Sequence, residues 1–306
     1  MFSIIIPTWD NVDYLKLCID SVRKYSKHTH EILVHVNQGG GDDHTCAWLR
    51  SQGISYTFAR QNVGVCMSVN YLAAHASRDW LLYLNDDMVC CPGWDAPLIE
   101  AAQNASRRLA MFFGQLIEPV GSGNPLVITQ DFGRTPKEFD EPRMVAEHMS
   151  VPRADILGQG SQPTLVHRKW WQAVGGYSLE YGPGMSSDDD LLMKFWVAGC
   201  RDFRIVSASR VYHFAQKSTG RARRNKGART FVMKWGITQR QFKRRYLARC
   251  GSTCAQAQPT AMLPRATVAG RVKRLLYGLR DYPLGDLAAW DAAPGRHISD
   301  WETSNQ

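Results

Sequence analysis

The stretch Trp80-Leu81-Leu82-Tyr83-Leu84-Asn85-Asp86-Asp87-Met88 decides the fold of this chain. Five apolar residues end abruptly at an amide and two adjacent carboxylates. A short apolar run bounded by polar residues predicts a fully buried strand of an α/β sheet. Its end sets Asn85, Asp86 and Asp87 at the sheet rim, where open α/β sheets bind ligands. Two neighbouring carboxylates repel each other unless a cation or hydrogen-bond donors face them. Hard oxygen ligands of this kind suit Mg²⁺ or Mn²⁺, ions that usually travel with phosphate. The alternative is a surface turn or helix cap, which Asp and Asn also favour.

Upstream, Phe2-Ser3-Ile4-Ile5-Ile6 predicts another buried strand, closed by Pro7-Thr8. A helix follows, with Asp10 as its cap and Leu15, Cys18, Ile19 and Val22 at helical spacing. Residues 31–36 form the next strand and run into Asn37-Gln38-Gly39-Gly40-Gly41. Those glycines either let the backbone approach a ligand closely or make a plain flexible loop. A helix through 46–49, a strand near 54–58 and a helix opened by Arg60-Gln61-Asn62-Val63-Gly64 lead to the Trp80 strand. Four strands alternating with helices in this way signal a parallel sheet with covering helices. A dinucleotide fold would want G-x-G-x-x-G directly after the first strand. Pro7-Thr8-Trp9-Asp10 stands there, which argues against a nicotinamide enzyme.

Downstream, a helix at 98–105 and a strand at 109–117 continue the pattern, and residues 118–162 read as an irregular loop over the sheet edge. Thr164-Leu165-Val166-His167-Arg168 leads into a helix carrying Trp170 and Trp171, ended by Gly175-Gly176-Tyr177. The two tryptophans offer either an aromatic floor for a sugar or core packing. After the turn at Gly182-Pro183-Gly184, Ser186-Ser187-Asp188-Asp189-Asp190-Leu191 opens a helix whose acidic first turn suits the helix dipole. A strand at 204–207 precedes Val211-Tyr212-His213-Phe214.

With 306 residues, 44% hydrophobic and 21% charged, the chain has the composition of an ordinary globular protein with a full core. No apolar run approaches the roughly 18 residues of a membrane span, and the chain enters its first strand without a basic lead. A cytoplasmic location is expected. The eight cysteines are scattered and complete no zinc site; only Cys250 and Cys254 sit near a metal-pair spacing. The net charge of +9 is uneven: residues 201–306 carry 21 Lys and Arg against 6 Asp and Glu. Residues 216–250 alone hold twelve cations and no acid, with Phe231, Val232, Met233, Trp235, Phe242, Tyr246 and Leu247 interleaved. Such a block points to an anionic partner.

In this order the motifs resemble the family 2 glycosyltransferases with a GT-A type fold, over roughly residues 2–215. Ser3-Ile4-Ile5-Ile6-Pro7-Thr8 looks like the family's opening strand, and Arg60, Asn62 and Gly64 with Asn70 look like its R-N-x-G helix start. Leu84-Asn85-Asp86-Asp87 occupies the place of the D-x-D metal motif. Gly175-Gly176-Tyr177 matches G-G-[FY], Ser187-Asp188-x-Asp190-Leu191 matches E-D-x-D-L, and His213 stands where a late His follows the last core strand. Two departures stand out: Asn37-Gln38-Gly39 replaces the usual Asp-Gly-Ser, and Asn85 and Ser187 replace acids.

The resemblance implies a Rossmann-like α/β sandwich with a mostly parallel sheet over 1–215; beyond it, the composition of 216–306 predicts a basic, mainly helical extension packed on or beside that domain. It implies an inverting transfer of a sugar from a nucleotide-diphosphate donor to a glycan or lipid-linked acceptor. Asp188 would be the general base. Asp87 and His213 would hold Mn²⁺ or Mg²⁺, with Asp86 as second candidate. Pro7, Thr8 and Asn37 would line the nucleobase and ribose, Asn62 and Gly64 the base or diphosphate, and Asn85 and Asp86 the ribose and metal side. The basic segment is expected to lie as an amphipathic helix on an anionic membrane, on its inner face, or to close over the diphosphate through residues 217–226, the alternative being a solvated basic surface without a partner. No nucleic acid is expected. A nucleic-acid or anionic-surface binding protein explains the tail but not the acidic motifs, and a sugar-nucleotide binding module without catalysis is the other alternative.

Overall fold

A computed structural model describes residues 1–38, 44–215, 225–247, 265–281 and 301–303. Gly39-Gly40-Gly41, residues 217–224, Cys250 and Cys254 lie outside them. The first half alternates as the sequence predicts: β1 (Phe2–Thr8), α1 (Val12–Tyr25), β2 (Glu31–Asn37), α2 (His44–Ser51), β3 (Ser55–Ala59), α3 (Gly64–His75) and β4 (Trp80–Tyr83). The N-cap position of α1 is Asn11, so Asp10 is not its cap. β5 (Met88–Cys90) follows β4 after only four residues, then α4 (Asp95–Asn104) and β6 (Ala110–Glu118). The segment read as irregular carries β7 (Ile128–Thr129), α5 (Glu141–Glu147) and β8 (Ile156–Leu157). Next come β9 (Thr164–His167), α6 (Arg168–Ala173), α7 (Ser187–Val197) and β10 (Asp202–His213). The C-terminal part holds α8 (Gly227–Trp235), α9 (Gln239–Arg245), α10 (Val268–Asp281) and β11 (Trp301–Thr303).

The strands form one mixed sheet in the order β11-β3-β2-β1-β4-β9-β6-β10-β5, with β7 beside β6 and β8 beside β10. β1 pairs in parallel with β2 and β4, as do β2 with β3 and β6 with β10, whereas β9 runs antiparallel between β4 and β6. Both faces are covered. Successive strand residues point to opposite sides, so Ile4, Ile6, Leu82 and Leu84 join one core with Leu15, Ile19, Leu49 and Leu98. Ile5, Leu81 and Tyr83 join the other, with Val69, Leu72, Trp171 and Trp196. This explains why the central strands read as unbroken apolar runs.

Trp171 is buried in that second core and Trp170 packs against it, donating its indole N–H to the Arg107 carbonyl at 3.2 Å. Core packing, not a sugar platform, is their role. Part of the basic segment packs on the protein. Residues 227–245 form two helices broken at Gly236, and Phe231, Val232, Phe242 and Leu247 are buried in the protein. Those four side chains are spent on the fold, whereas Met233, Trp235 and Tyr246 are half-buried.

Candidate active site

Four chain segments meet at the C-terminal ends of the parallel strands. The end of β1 brings Thr8, whose hydroxyl donates to Asp86 Oδ2 at 2.6 Å. Asp86 and Asp87 lie in the short link between β4 and β5. Since β5 pairs antiparallel with the end of β10, Met88 stands opposite His213, and the Phe214 amide donates to the Asp87 carbonyl at 3.1 Å. That pairing sets His213 Nε2 3.4 Å from Asp87 Oδ2. The other ring nitrogen, Nδ1, lies 2.9 Å from Glu118 Oε1 at the end of β6.

Burial and the adjacent Asp87 push the Asp86 carboxyl up to about 7, against the Thr8 hydrogen bond. Burial disfavours the His213 imidazolium, but Asp87 and Glu118 outweigh it and raise its pKa to about 9. Among the described residues, no three His, Cys, Asp or Glu side chains converge into a finished metal cage. The donor set nonetheless fits a hard divalent cation. Asp86, Asp87 and His213 line the same cavity, and the Glu118 carboxylate on the far nitrogen of His213 is the orienting partner such ligands usually have. Mg²⁺-type sites usually complete their coordination with phosphate oxygens and water.

On the opposite wall, Asn37 accepts from the Val63 amide at 3.1 Å and donates to Ser68 Oγ at 3.0 Å. Asn62 Oδ1 accepts from the Gly64 amide at 2.9 Å, shaping the start of α3. Gly64 has φ +80°, and a Cβ there would come within 2.7 Å of the Pro183 Cα. Glycine is therefore required both by conformation and by contact. The Val65 amide donates to the Pro183 carbonyl at 2.8 Å, which ties α3 to the turn leading into α7.

The three aspartates that open α7 divide their work. Asp188 points into the cavity and accepts from the Tyr177 hydroxyl at 2.6 Å and from Gln162 Nε2 at 3.1 Å. The side chain is open to the cavity, yet the protein mass around it raises its pKa by partial desolvation, the Tyr177 and Gln162 hydrogen bonds work against this, and Asp189 adds to it. Asp189 pairs instead with Lys243 at 2.8 Å and accepts from Gln239, both on α9. Asp190, fully buried, accepts from Ser178 Oγ and the Trp235 indole, each at 2.7 Å, and from Lys234. Stripping one partner from a buried pair typically costs about 3–5 kcal/mol, so Asp190 is a tie to α8, not a base. Lys234 and Lys243 are thus internal counter-charges.

A cavity of about 520 Å³ joins these pieces, and its lining contains Pro7, Thr8, Asn37, Asn62, Gly64, Asn85, Asp86, Asp87, Asp188 and His213. These ten are the residues that the resemblance assigned to the site; Arg60 and Asn70 of the R-N-x-G motif are not in its lining. Trp9, Tyr83, Gln162 and Met185 also line it, and Glu118 and Tyr177 support it from behind. Sequence reading missed these as site residues, although Tyr177 lay within a quoted motif. No local pattern marks Gln162 or Glu118.

A sheet of this order with a cavity at its strand ends defines a GT-A type glycosyltransferase fold. Residues 3–156, just over half of the chain, match the family described as Glycosyl transferase family 2, and the chain belongs to that family. Among solved structures, the chain is similar to TarS residues 1–349 from S. aureus (12% identity, TM-score 0.52), covering 78% of this chain and 66% of that one. It is also similar to GalNAc-T7 crystallised with UDP, GalNAc and Mn²⁺ (15% identity, TM-score 0.57), covering 80% of this chain and 50% of that one. The chain therefore spans only half to two thirds of those proteins, and the likeness is one of fold. No curated protein sequence matches the chain. Among the described residues, no helix is long and apolar enough to cross a membrane.

Proposed function

We propose that this protein moves a sugar from a nucleotide-diphosphate donor to a hydroxyl of a glycan or lipid-linked acceptor, with inversion at the anomeric carbon. The observation that carries the reading is one cavity shared by the Asp86–Asp87–His213 cluster and the Asp188 carboxylate; among the described residues that line it, Asp188 is the one acid outside that cluster. In a single displacement the acceptor oxygen bonds to the anomeric carbon while the bond to the diphosphate breaks, and the hydroxyl proton passes to Asp188. A carboxylate exposed to the cavity, with its proton affinity raised by its surroundings, suits that task. Asn37, Asn62 and the Pro7-Thr8 strand end hold the nucleoside side, and Asn85 and Asp86 the ribose and diphosphate side. A divalent ion held by Asp87, Asp86 and His213 would neutralise the charge that develops on the departing diphosphate. Glu118 orients His213 for this, and Tyr177 and Gln162 orient Asp188.

A thermal-shift screen of UDP-, dTDP- and GDP-sugars, with and without Mn²⁺, tests the reading. A cognate donor at a hundred times its Kd stabilises the native state by about 2.7 kcal/mol, and that shift is expected only with the metal present. Absence of a shift with every nucleotide sugar overturns the proposal. The pH profile tests the base. Activity is lost as pH falls through the pKa of Asp188, so the acid limb of kcat/KM lies above the ordinary Asp value of about 4. Tyr177→Phe removes a hydrogen bond to the charged form and moves that limb to higher pH. A limb that stays in place, or moves down, separates Asp188 from the base role.

A further inference from the structure

Helix α10 docks on the protein by the face that an amphipathic helix normally turns to solvent. Its contacts with α8 are polar and close. Arg274 donates to the carbonyls of Val232 at 3.1 Å and Lys234 at 2.7 Å, and Arg229 donates to the Tyr277 carbonyl at 2.8 Å. Gly270 is buried there, where a Cβ would collide with the Gly236 carbonyl. On the opposite side stand Val268, Val272, Leu275 and Leu276, exposed by 79%, 50%, 65% and 56%. At about 100° per residue these four fall on one stripe facing away from the docking residues. Arg271 and Lys273, both exposed, flank the stripe on either side. From Arg265 to Arg280 the sequence contains no Asp or Glu.

We propose that α10 seats the protein on an anionic lipid bilayer, with the Val268–Val272–Leu275–Leu276 stripe at the acyl boundary and Arg271 and Lys273 among the headgroups. The charge pattern selects this occupant. A second copy of the chain, packed through the same stripe, would bring Arg271 and Lys273 against their own equivalents. An anionic bilayer supplies apolar contact beneath the helix and negative charge on both of its flanks, the arrangement that interfacial helices match. The helix has 14 residues, about 21 Å at 1.5 Å per residue, so it lies along the surface and does not cross it. Exposed Arg240, Arg244 and Arg245 on α9 add positive charge to the same C-terminal part. The inference stands apart from the catalytic reading.

The test is sedimentation of the full chain with vesicles of phosphatidylcholine alone or with phosphatidylglycerol, at low and high salt. Binding is expected only with phosphatidylglycerol, weaker at high salt. Leu275→Glu combined with Leu276→Glu should reduce it more than tenfold, and Arg271→Glu combined with Lys273→Glu should do the same. Both double variants should keep the wild-type melting temperature, because the substituted side chains point away from the protein. Wild-type protein that ignores both vesicle types, or binds them equally, overturns the proposal. So does unchanged binding by the double leucine variant. A lower melting temperature with lipid binding unchanged would show that the chain itself covers the stripe. A dimer that the leucine substitutions dissociate, without lipid binding, would assign the stripe to a second copy.

Discussion

Asp188→Asn is expected to lower turnover by roughly 10²–10⁴-fold, the usual contribution of a positioned general base, while donor and metal binding persist. The asparagine keeps the size of the side chain and can still accept from Tyr177 and Gln162, which meet Asp188 Oδ1 at 2.6 and 3.1 Å. What it loses is the ability to take the acceptor proton. The measurement is single-turnover transfer beside donor titration. A loss confined to donor affinity would remove Asp188 from the base role. Asp189 and Asp190 are poor substitutes, because each is already engaged by a lysine of the C-terminal helices.

Asp87→Ala is expected to abolish transfer and metal-dependent donor binding together. Asp87 is buried at the strand-end link and lies 3.4 Å from His213, so its removal would take away the proposed oxygen ligand and the partner of the imidazole at once. Glu118→Gln, which perturbs only the far side of His213, should cost about 10–100-fold in metal affinity, as outer partners of metal ligands do. Calorimetric titration with Mn²⁺ and donor separates the two variants. If Asp87→Ala binds donor as well as the unaltered protein in a Mn²⁺-dependent manner, the metal assignment fails.

The strands and helices of the first 85 residues were legible because their signals are local. Ile4, Ile5 and Ile6 are apolar whichever face they take, and a strand buried on both faces needs no knowledge of its neighbours to be recognised. Asp87 and His213 are 126 positions apart in the chain, and only their motif resemblance hinted at a meeting. Their contact depends on β5 turning back beside β10, whose pairing with β6 shifts between Val206 and Arg210. Glu118 and Gln162 enter the site by the same kind of long-range pairing, from a segment that showed no period at all.

The C-terminal third shows the limit most directly. Its excess of cations and its interleaved aromatics are facts of composition, but composition does not say which charges are spent inside the molecule. Lys234 and Lys243 neutralise Asp190 and Asp189, and Phe231 and Phe242 complete a core begun by α3 and α7. The sequence by itself determined the α/β alternation, the acidic strand end and the glycine that opens α3, because each follows from the periodicity or the backbone demands of a few adjacent residues. Only the tertiary structure decided that Asp189 and Asp190, beside Asp188, are spent on α9 and α8, and which apolar stripe is left exposed among the described residues. Those outcomes depend on which distant surface each helix face meets, a matter of three-dimensional packing that no window along the chain contains.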